Sequence, residues 1–200
     1  MSITKQNKIN YPGGTKVKVS KLPTNYSNRG MALEDDINLT NNYYIDNDIA
    51  YIYKKPTPIK ITKVDYPSRQ KAVIKEAFFT TPSTTDYNGI YKGKYIDFEA
   101  KETNSKSSFS LANIHKHQIK HLENIYRHGG ISFLIIRFNK LNKTYLLKAE
   151  DLISFLENEK RKSIPLDFFE KYGIIIEEKY NPRLDYLKII DFLYGGSYGK

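Results

Sequence analysis

Apolar and polar residues alternate along residues 95–101, which read YIDFEAK. Successive side chains of a β-strand point to opposite faces, so this alternation predicts a strand with one apolar face that is buried and one polar face. The polar face carries two carboxylates and an ammonium group side by side, on Asp97, Glu99 and Lys101. This concentration of charge makes the strand the first candidate for chemistry.

The same kinds of pattern predict helices and strands along the rest of the chain. A helix capped by Asn28 is predicted at residues 29–47, because Leu33, Ile37 and Tyr44 recur at steps of four and seven on one face. Further helices are predicted at residues 112–128 and 151–158, after Pro165, and along a closing stripe of Leu184, Leu187, Ile190 and Leu193. Strands are predicted at residues 49–53, 59–66, 71–79, 131–138, 143–148 and 174–177.

The run ISFLIIRF at residues 131–138 is almost wholly apolar and rich in branched side chains. A run of this kind, preceded by Gly129-Gly130, is typical of a central strand that is covered on both faces. Mixed helices and strands along 200 residues predict a single α/β domain, built as a mixed β-sheet flanked by helices.

A glutamine interrupts the apolar stripe of the helix predicted at residues 112–128. Ile114, Gln118 and Leu122 are spaced at steps of four. A buried amide needs hydrogen-bond partners, and these would be either a metal-bound water or phosphate, or structural groups inside the core. The residues alone leave both interpretations open.

The same helix carries His117 and His121 one turn apart, a spacing that suits zinc. The chain has no cysteine and no HExxH signature to supply the remaining ligands. We therefore expect the two histidines on a hydrated helix face, away from Gln118.

Composition points to a polyanionic partner, because 32 Lys and Arg face 22 Asp and Glu, for a formal charge of +10. A chain rich in Lys, Asn, Ile and Tyr also fits an AT-rich genome, so the distribution of charge matters more than its total.

Basic residues and aromatic rings are interleaved between residues 54 and 80. Between Lys54 and Lys75, Asp65 is the single acid. The candidate DNA-binding residues there are Lys54, Lys55, Lys60, Lys63, Arg69, Lys71, Phe78 and Phe79. The alternative is an ordinary basic hairpin whose rings pack inward.

Residues 1–28 hold five lysines and no acid, among many Asn, Ser, Gly and Pro. This composition predicts a flexible basic arm that lies along phosphates, or else an idle disordered tail.

Without cysteine the chain forms neither disulfides nor thiolate metal sites. No apolar run approaches the roughly 18 residues of a membrane helix, and no secretory signal is evident, so a cytoplasmic protein without a membrane partner is expected.

Asp86 precedes two turn signals, Asn88-Gly89 and Lys92-Gly93, that would fold the chain back and bring Asp86 beside Glu99. Two converging carboxylates repel each other, and a hard divalent cation such as Mg²⁺ relieves that repulsion. Lys101 would reach a metal-bound water or a phosphate oxygen. Asp-x(12)-Glu-x-Lys is thus the layout of a metal-dependent phosphodiesterase. The triplet alone is better explained as a solvated strand face with cross-strand ion pairs.

Three longer motifs add a family resemblance. The runs SNRGMALEDDIN (27–38), KKPTPI (54–59) and STTDYNGIYKGKYIDFEAKET (83–103) resemble the RecU family of Holliday-junction resolvases, and the likeness extends from about Tyr26 to the segment at 184–186. The resemblance implies a restriction-endonuclease-like nuclease domain at 29–200, with a protruding basic stalk at about 54–80. It implies a magnesium site at Thr84, Asp86, Glu99 and Gln118, in which Mn²⁺ is a plausible substitute. It also implies that Asp86, Glu99 and Lys101 are the catalytic residues.

The resemblance also implies an activity. RecU proteins hydrolyse DNA phosphodiesters to leave 5′-phosphates, cut four-way junctions twice as homodimers, act at the nucleoid and contact a RecA-type recombinase. In many relatives of this nuclease fold an acid on the first helix assists the metal; Glu34 is the candidate, with a helix-end acid as the alternative. A restriction-type duplex endonuclease and a non-catalytic junction- or recombinase-binding module are the rival functions.

Overall fold

The computed structural model describes residues 33–80 and 84–195. The helices formed within these ranges are α1 (Leu33–Asp46), α2 (Lys116–Arg127), α3 (Ala149–Asn158), α4 (Leu166–Tyr172) and α5 (Tyr186–Tyr194). The strands are β1 (Tyr51–Lys54), β2 (Ile59–Asp65), β3 (Val73–Phe79), β4 (Tyr87–Tyr91), β5 (Lys94–Thr103), β6 (Ser108–Ser110), β7 (Ile131–Phe138), β8 (Lys143–Lys148), β9 (Ser163–Pro165) and β10 (Ile174–Ile175). The basic arm predicted at residues 1–28 and the Asn28 cap lie outside the described residues.

A central mixed sheet organises the described part of the chain, in the strand order β1-β4-β5-β7-β8-β10. Strand β5 pairs in parallel with β7, and the other neighbours in the sheet are antiparallel. The sheet has helices on both faces, so the prediction of an α/β fold with a mixed sheet flanked by helices is confirmed. The predicted central strand at 131–138 is also confirmed, since every residue of β7 is buried.

Two apolar clusters cover the two faces of the sheet. One contains Phe98 of β5 together with the buried stripe of α1 and the inward side of α5. The other contains Leu134 of β7 and Leu122 of α2, together with apolar residues of α3 and α4. In β5 the apolar positions 96, 98 and 100 belong to the first cluster. The charged positions 97, 99 and 101 therefore face the side of the sheet that α2 covers.

Strands β2 and β3 form a separate two-stranded sheet, which we call the ribbon. Every residue of both strands is exposed, in contrast to the buried strands of the central sheet. Phe79 is 83% exposed and Phe78 56% exposed, so the rings do not pack inward as the ordinary-hairpin interpretation requires. The ribbon thus holds its aromatic and basic side chains in solvent.

One predicted turn is wrong. Lys92 and Gly93 do turn the chain between β4 and β5, with φ values of 47° and 74°, but Asn88 and Gly89 lie inside β4. The glycine is needed for close approach of the neighbouring strand. A Cβ at residue 89 would overlap the carbonyl oxygen of Tyr51 and lie 2.5 Å from the Cα of Ile52. The Ser-rich segment at residues 104–110 contains the short strand β6, which pairs with β9.

Replacing Gly89 with alanine is expected to lower the free energy of unfolding by about 3 kcal/mol or more, because backbone atoms of β1 cannot move aside without breaking the sheet. Urea unfolding followed by circular dichroism measures this change. Gly195 is the matched control, since a Cβ there meets nothing nearer than 4.0 Å. If Gly89→Ala is as stable as Gly195→Ala, the close packing of β1 on β4 is wrong.

A buried charge network joins α1 to the sheet. Asp36 is almost fully buried and accepts hydrogen bonds from Arg137 Nη2 at 2.6 Å and from Arg183 Nε at 3.0 Å. The two arginines also pair with Glu178, at 3.2 and 3.5 Å. The acids of the first turn of α1 thus include one with a tertiary role that no local pattern indicates.

No helix among the described residues is both long enough and apolar enough to cross a membrane.

Candidate active site

The β4–β5 hairpin brings Asp86 beside Glu99. Tyr87 of β4 lies opposite Phe98 of β5, which places the preceding residue, Asp86, next to Glu99. The backbone N–H of Asp86 donates to Glu99 Oε2 at 3.0 Å. The prediction that these two residues meet is therefore confirmed, although only one of the two turn signals behind it was correct.

Lys101 and Gln118 complete the cluster around Glu99. The ammonium group of Lys101 forms an ion pair with Glu99 Oε1 and lies 3.8 Å from Asp86 Oδ2. The amide Nε2 of Gln118 donates to Glu99 Oε1 at 2.7 Å, and its Oε1 accepts from the backbone N–H of His115 at 3.0 Å. The glutamine therefore caps the start of α2 and holds the carboxylate of Glu99 at the same time.

Burial controls the protonation of this cluster. Desolvation, with a further contribution from the negative charge of Asp86, raises the pKa of Glu99 from 4.5 to about 7, against the opposing effect of Lys101. Burial also lowers the pKa of Lys101, but Glu99 and Asp86 outweigh it, so the pKa of this lysine is raised overall. Lys101 therefore carries its positive charge at neutral pH, between two carboxylates.

The residues present fit a divalent cation. Asp86 Oδ2 is buried and accepts no hydrogen bond, so it keeps a free lone pair. Burial and the negative charge of Asp86 raise the pKa of Glu99, so a nearby cation would favour the charged form of this carboxylate. Among the described residues, no group of three or more His, Cys, Asp and Glu forms a metal cluster. Ligands beyond the two carboxylates would thus come from hydroxyl, amide or water oxygens, which suit a hard ion such as Mg²⁺.

A pH titration tests this environment. We expect the side-chain ¹³C signal of Glu99 to titrate near pH 7 without metal, and the midpoint to fall when Mg²⁺ is added, because a cation favours the charged carboxylate. Since the folded pKa lies above the unfolded one, the folded state binds the proton more tightly, and the free energy of unfolding should fall as pH rises from about 4.5 to 7. The Glu99→Gln variant lacks the carboxyl signal of Glu99, and its spectrum therefore identifies that signal. A midpoint near 4.5 would contradict the buried cluster.

Thr84 and Glu34 lie at the margin of the cluster. Both line the same cavity as Asp86, which also includes Lys54 and Lys55. Glu34 forms an ion pair with Lys54 and, at the first turn of α1, still has the alternative role of a helix-end acid. Both therefore border the cavity that Asp86 borders.

The predicted DNA-binding residues fall into two groups. Those on the ribbon and in the turn that joins its strands have exposed side chains: Lys60, Lys63, Arg69, Lys71, Phe78 and Phe79. Lys54 pairs with Glu34 and is partly exposed. Lys55 differs, since its ammonium group faces inward to Asp97 and its side chain is only 17% exposed. Contact between Lys55 and a phosphate would require breaking that ion pair.

Sequence reasoning missed a second buried carboxylate. Asp97 is fully buried, and its partners are Lys55, Thr85, Tyr95 and His121. The expectation that His121 lies on a hydrated face away from Gln118 is wrong. Residues three apart are neighbours on a helix surface, and α2 places Gln118 on Glu99 and His121 on Asp97. His117 is half-buried and stacks on His115, with ring centroids 5.2 Å apart.

Comparison with known proteins adds a family to this geometry. The model of the family RecU, described as "Recombination protein U", matches residues 28–192. A protein of a Geobacillus species, named Holliday junction resolvase RecU, is 53% identical over 194 residues, which cover 92% of this chain and 96% of the relative. Proteins of the same name from Pediococcus pentosaceus and Bacillus cereus are 52% and 48% identical, over 92% and 93% of this chain and 96% and 98% of their own lengths.

Among solved structures, Hjc of Archaeoglobus fulgidus, a Holliday junction resolvase from an archaeal hyperthermophile, matches with a TM-score of 0.39 and 9% identity. The match covers 67% of this chain and 90% of that protein. A likeness this weak carries no conclusion about chemistry.

Proposed function

This chain belongs to the RecU family, and from this premise we propose that it is a magnesium-dependent endonuclease that resolves Holliday junctions during DNA recombination and repair. The observation that carries the proposal is the meeting of Asp86, Glu99 and Lys101 at the β4–β5 hairpin. The relatives named as resolvases cover almost the whole chain, which supports the substrate.

Asp86 and Glu99 would hold the cation, with Thr84 and Gln118 acting directly or through water. When bound, Mg²⁺ or Mn²⁺ would polarise the scissile phosphate and lower the pKa of an attacking water. Gln118 and the backbone N–H of Asp86 donate to Glu99, which keeps its carboxylate in one orientation. Lys101, charged at neutral pH, steadies the water or offsets the charge that builds on the phosphate in the transition state. Hydrolysis would leave a 5′-phosphate.

The exposed ribbon supports a branched substrate. Its basic side chains suit phosphates, and its exposed rings suit the unstacked bases at the centre of a four-way junction. Two opposed strands of a junction must be cut, and a two-fold homodimer would supply two identical sites. Contact with a RecA-type recombinase and association with the nucleoid belong to the same proposal. The basic residues 1–28 would add phosphate contacts.

A cleavage assay tests the substrate and the metal together. We expect the full chain to cut a mobile synthetic four-way junction much faster than a linear duplex of the same sequence, and only when Mg²⁺ or Mn²⁺ is present. The two cuts should fall at symmetric positions on opposed strands. Equal rates on junction and duplex would favour a restriction-type endonuclease, and binding without any cutting would favour a non-catalytic module.

A further inference from the structure

Lys55 lies directly after β1, where the ribbon leaves the central sheet, and its contacts point to the interior. Its backbone N–H donates to the carbonyl oxygen of Asp86 at 2.8 Å. Its ammonium group donates to Asp97 Oδ2 at 2.7 Å and to Thr85 Oγ1 at 3.0 Å. One residue at the root of the ribbon thus contacts two successive residues of the segment that carries Asp86.

Asp97 is an anchor for this arrangement and is poorly placed to be a cation ligand. Its Oδ1 accepts from Thr85 Oγ1, and its Oδ2 accepts from Lys55 and from Tyr95 Oη at 3.0 Å. His121 Nε2 lies 3.1 Å from the same Oδ2. A carboxylate offers about four acceptor positions, so these partners use most of its capacity. The buried charge of Asp97 is compensated chiefly by Lys55.

Asp86 depends on its main chain for its position. Its Oδ2 accepts no hydrogen bond, and the nearest cation, Lys101, is 3.8 Å away. The backbone is held on both sides, by the N–H group to Glu99 and by the carbonyl group to Lys55. A shift of this backbone would change the separation of the two carboxylates that converge on the candidate cation site.

We propose that Lys55 and Asp97 form a positioning pair that fixes Asp86 against Glu99 at the spacing a divalent cation needs. The proposal rests on the function proposed above, and it gives Lys55 a role other than a phosphate contact. Partners that orient metal ligands typically change metal affinity by about 10–100-fold when they are removed. Loss of Lys55 should therefore weaken cation binding although Lys55 touches no cation.

The sign of the effect separates positioning from electrostatics. Replacing Lys55 with methionine keeps the aliphatic stem but removes a positive charge, which leaves the site more negative. Coulomb attraction alone would then make a cation bind more tightly. Positioning predicts the opposite, because the Asp97 charge loses its partner and the Thr85–Asp86 segment loses its anchor.

Mn²⁺ binding to the full-length chain, followed by electron paramagnetic resonance, is the test. For Lys55→Met we expect the dissociation constant for Mn²⁺ to rise at least about tenfold. Junction cleavage should also fall at least about tenfold at saturating Mg²⁺, while junction affinity is unchanged. Lys143→Met, which removes an exposed lysine paired with Glu170, is the matched control and should change none of these values. Asp97→Asn should act in the same direction, and the double variant should show less than the sum of the single effects.

Thermal unfolding establishes whether each variant is folded. If Lys55→Met does not fold, Lys55→Gln, which retains a hydrogen-bond donor at this position, takes its place. Mn²⁺ binding that is unchanged or tighter overturns the positioning pair. So does a loss of junction affinity with unchanged Mn²⁺ binding, since that result describes a phosphate contact. If the unmodified chain neither binds Mn²⁺ nor cuts junctions, both proposals fail. If it does both and the variants match it, only the positioning pair fails.

Discussion

Replacing Lys101 with alanine is expected to lower the rate of junction cleavage by about 10²–10³-fold, with junction affinity changed less than about twofold. A charged group aimed at developing charge in a buried site is worth this much when it is removed. In the proposed mechanism Lys101 is such a group, and Glu99 and Asp86 hold it in place and raise its pKa. Affinity should be spared, since binding to DNA rests mainly on phosphate contacts elsewhere. Single-turnover cleavage and gel-shift titration of the same labelled junction measure the two quantities.

Asp86→Ala should have an equally large effect on cleavage for a different reason. It removes one of the two carboxylates, so cleavage should not recover when the Mg²⁺ concentration is raised within a practical range. Lys106→Ala is the control for Lys101→Ala, because it also removes a lysine charge, from an exposed loop position that follows β5. A Lys101→Ala or Asp86→Ala variant that keeps more than about a tenth of the normal rate would show that the residue is not catalytic.

The strand that carries this cluster was predictable from sequence because its cause is local. Alternation at residues 95–101 placed the charges on one face, and the apolar run at 131–138 and the segment at 143–148 were predicted with the bounds of β7 and β8. The pairing of Asp86 with Glu99 also followed from sequence, since a hairpin joins them. The features that depend on local sequence, namely these strands and the hairpin, were therefore predicted correctly.

The surroundings of Asp97 could not be predicted in this way. Its partners come from the end of β1, the segment before β4, and helix α2, which lie far apart in sequence and meet only when the sheet assembles. Gly89 was mistaken for a turn residue for a similar reason. Its small size serves the approach of β1, which is visible only once the strand order is known.

Asp36 is the other residue whose role depends on assembly. In the sequence, Asp36 is one of three acids near the start of α1, with Glu34 and Asp35. The helix dipole favours a negative charge at this end. In the fold its side chain is only 2% exposed and is bound by Arg137 and Arg183, more than 100 positions later in the chain. Each arginine contributes one of the hydrogen bonds that compensate its charge.

Replacing Asp36 with alanine is therefore expected to lower the free energy of unfolding by about 3 kcal/mol or more. Removing one member of a buried charge network leaves its partners with less compensation. Glu102 and Glu178, each about one-third exposed, also pair with the arginines but are more exposed to solvent than Asp36. Asp36→Asn should be destabilising as well, because it keeps the shape but not the charge. Urea unfolding at constant pH and salt gives these values.

The control is Lys143→Ala, which breaks the exposed Lys143–Glu170 pair and should cost less than about 1 kcal/mol. The difference between the two variants isolates the effect of burial, since both lose one member of an ion pair. Cleavage by Asp36→Ala, measured well below its unfolding temperature, should remain near normal, because none of the contacts of Asp36 involves Asp86, Glu99 or Lys101. Equal stability of Asp36→Ala and Lys143→Ala would mean that the network does not hold α1 to the sheet.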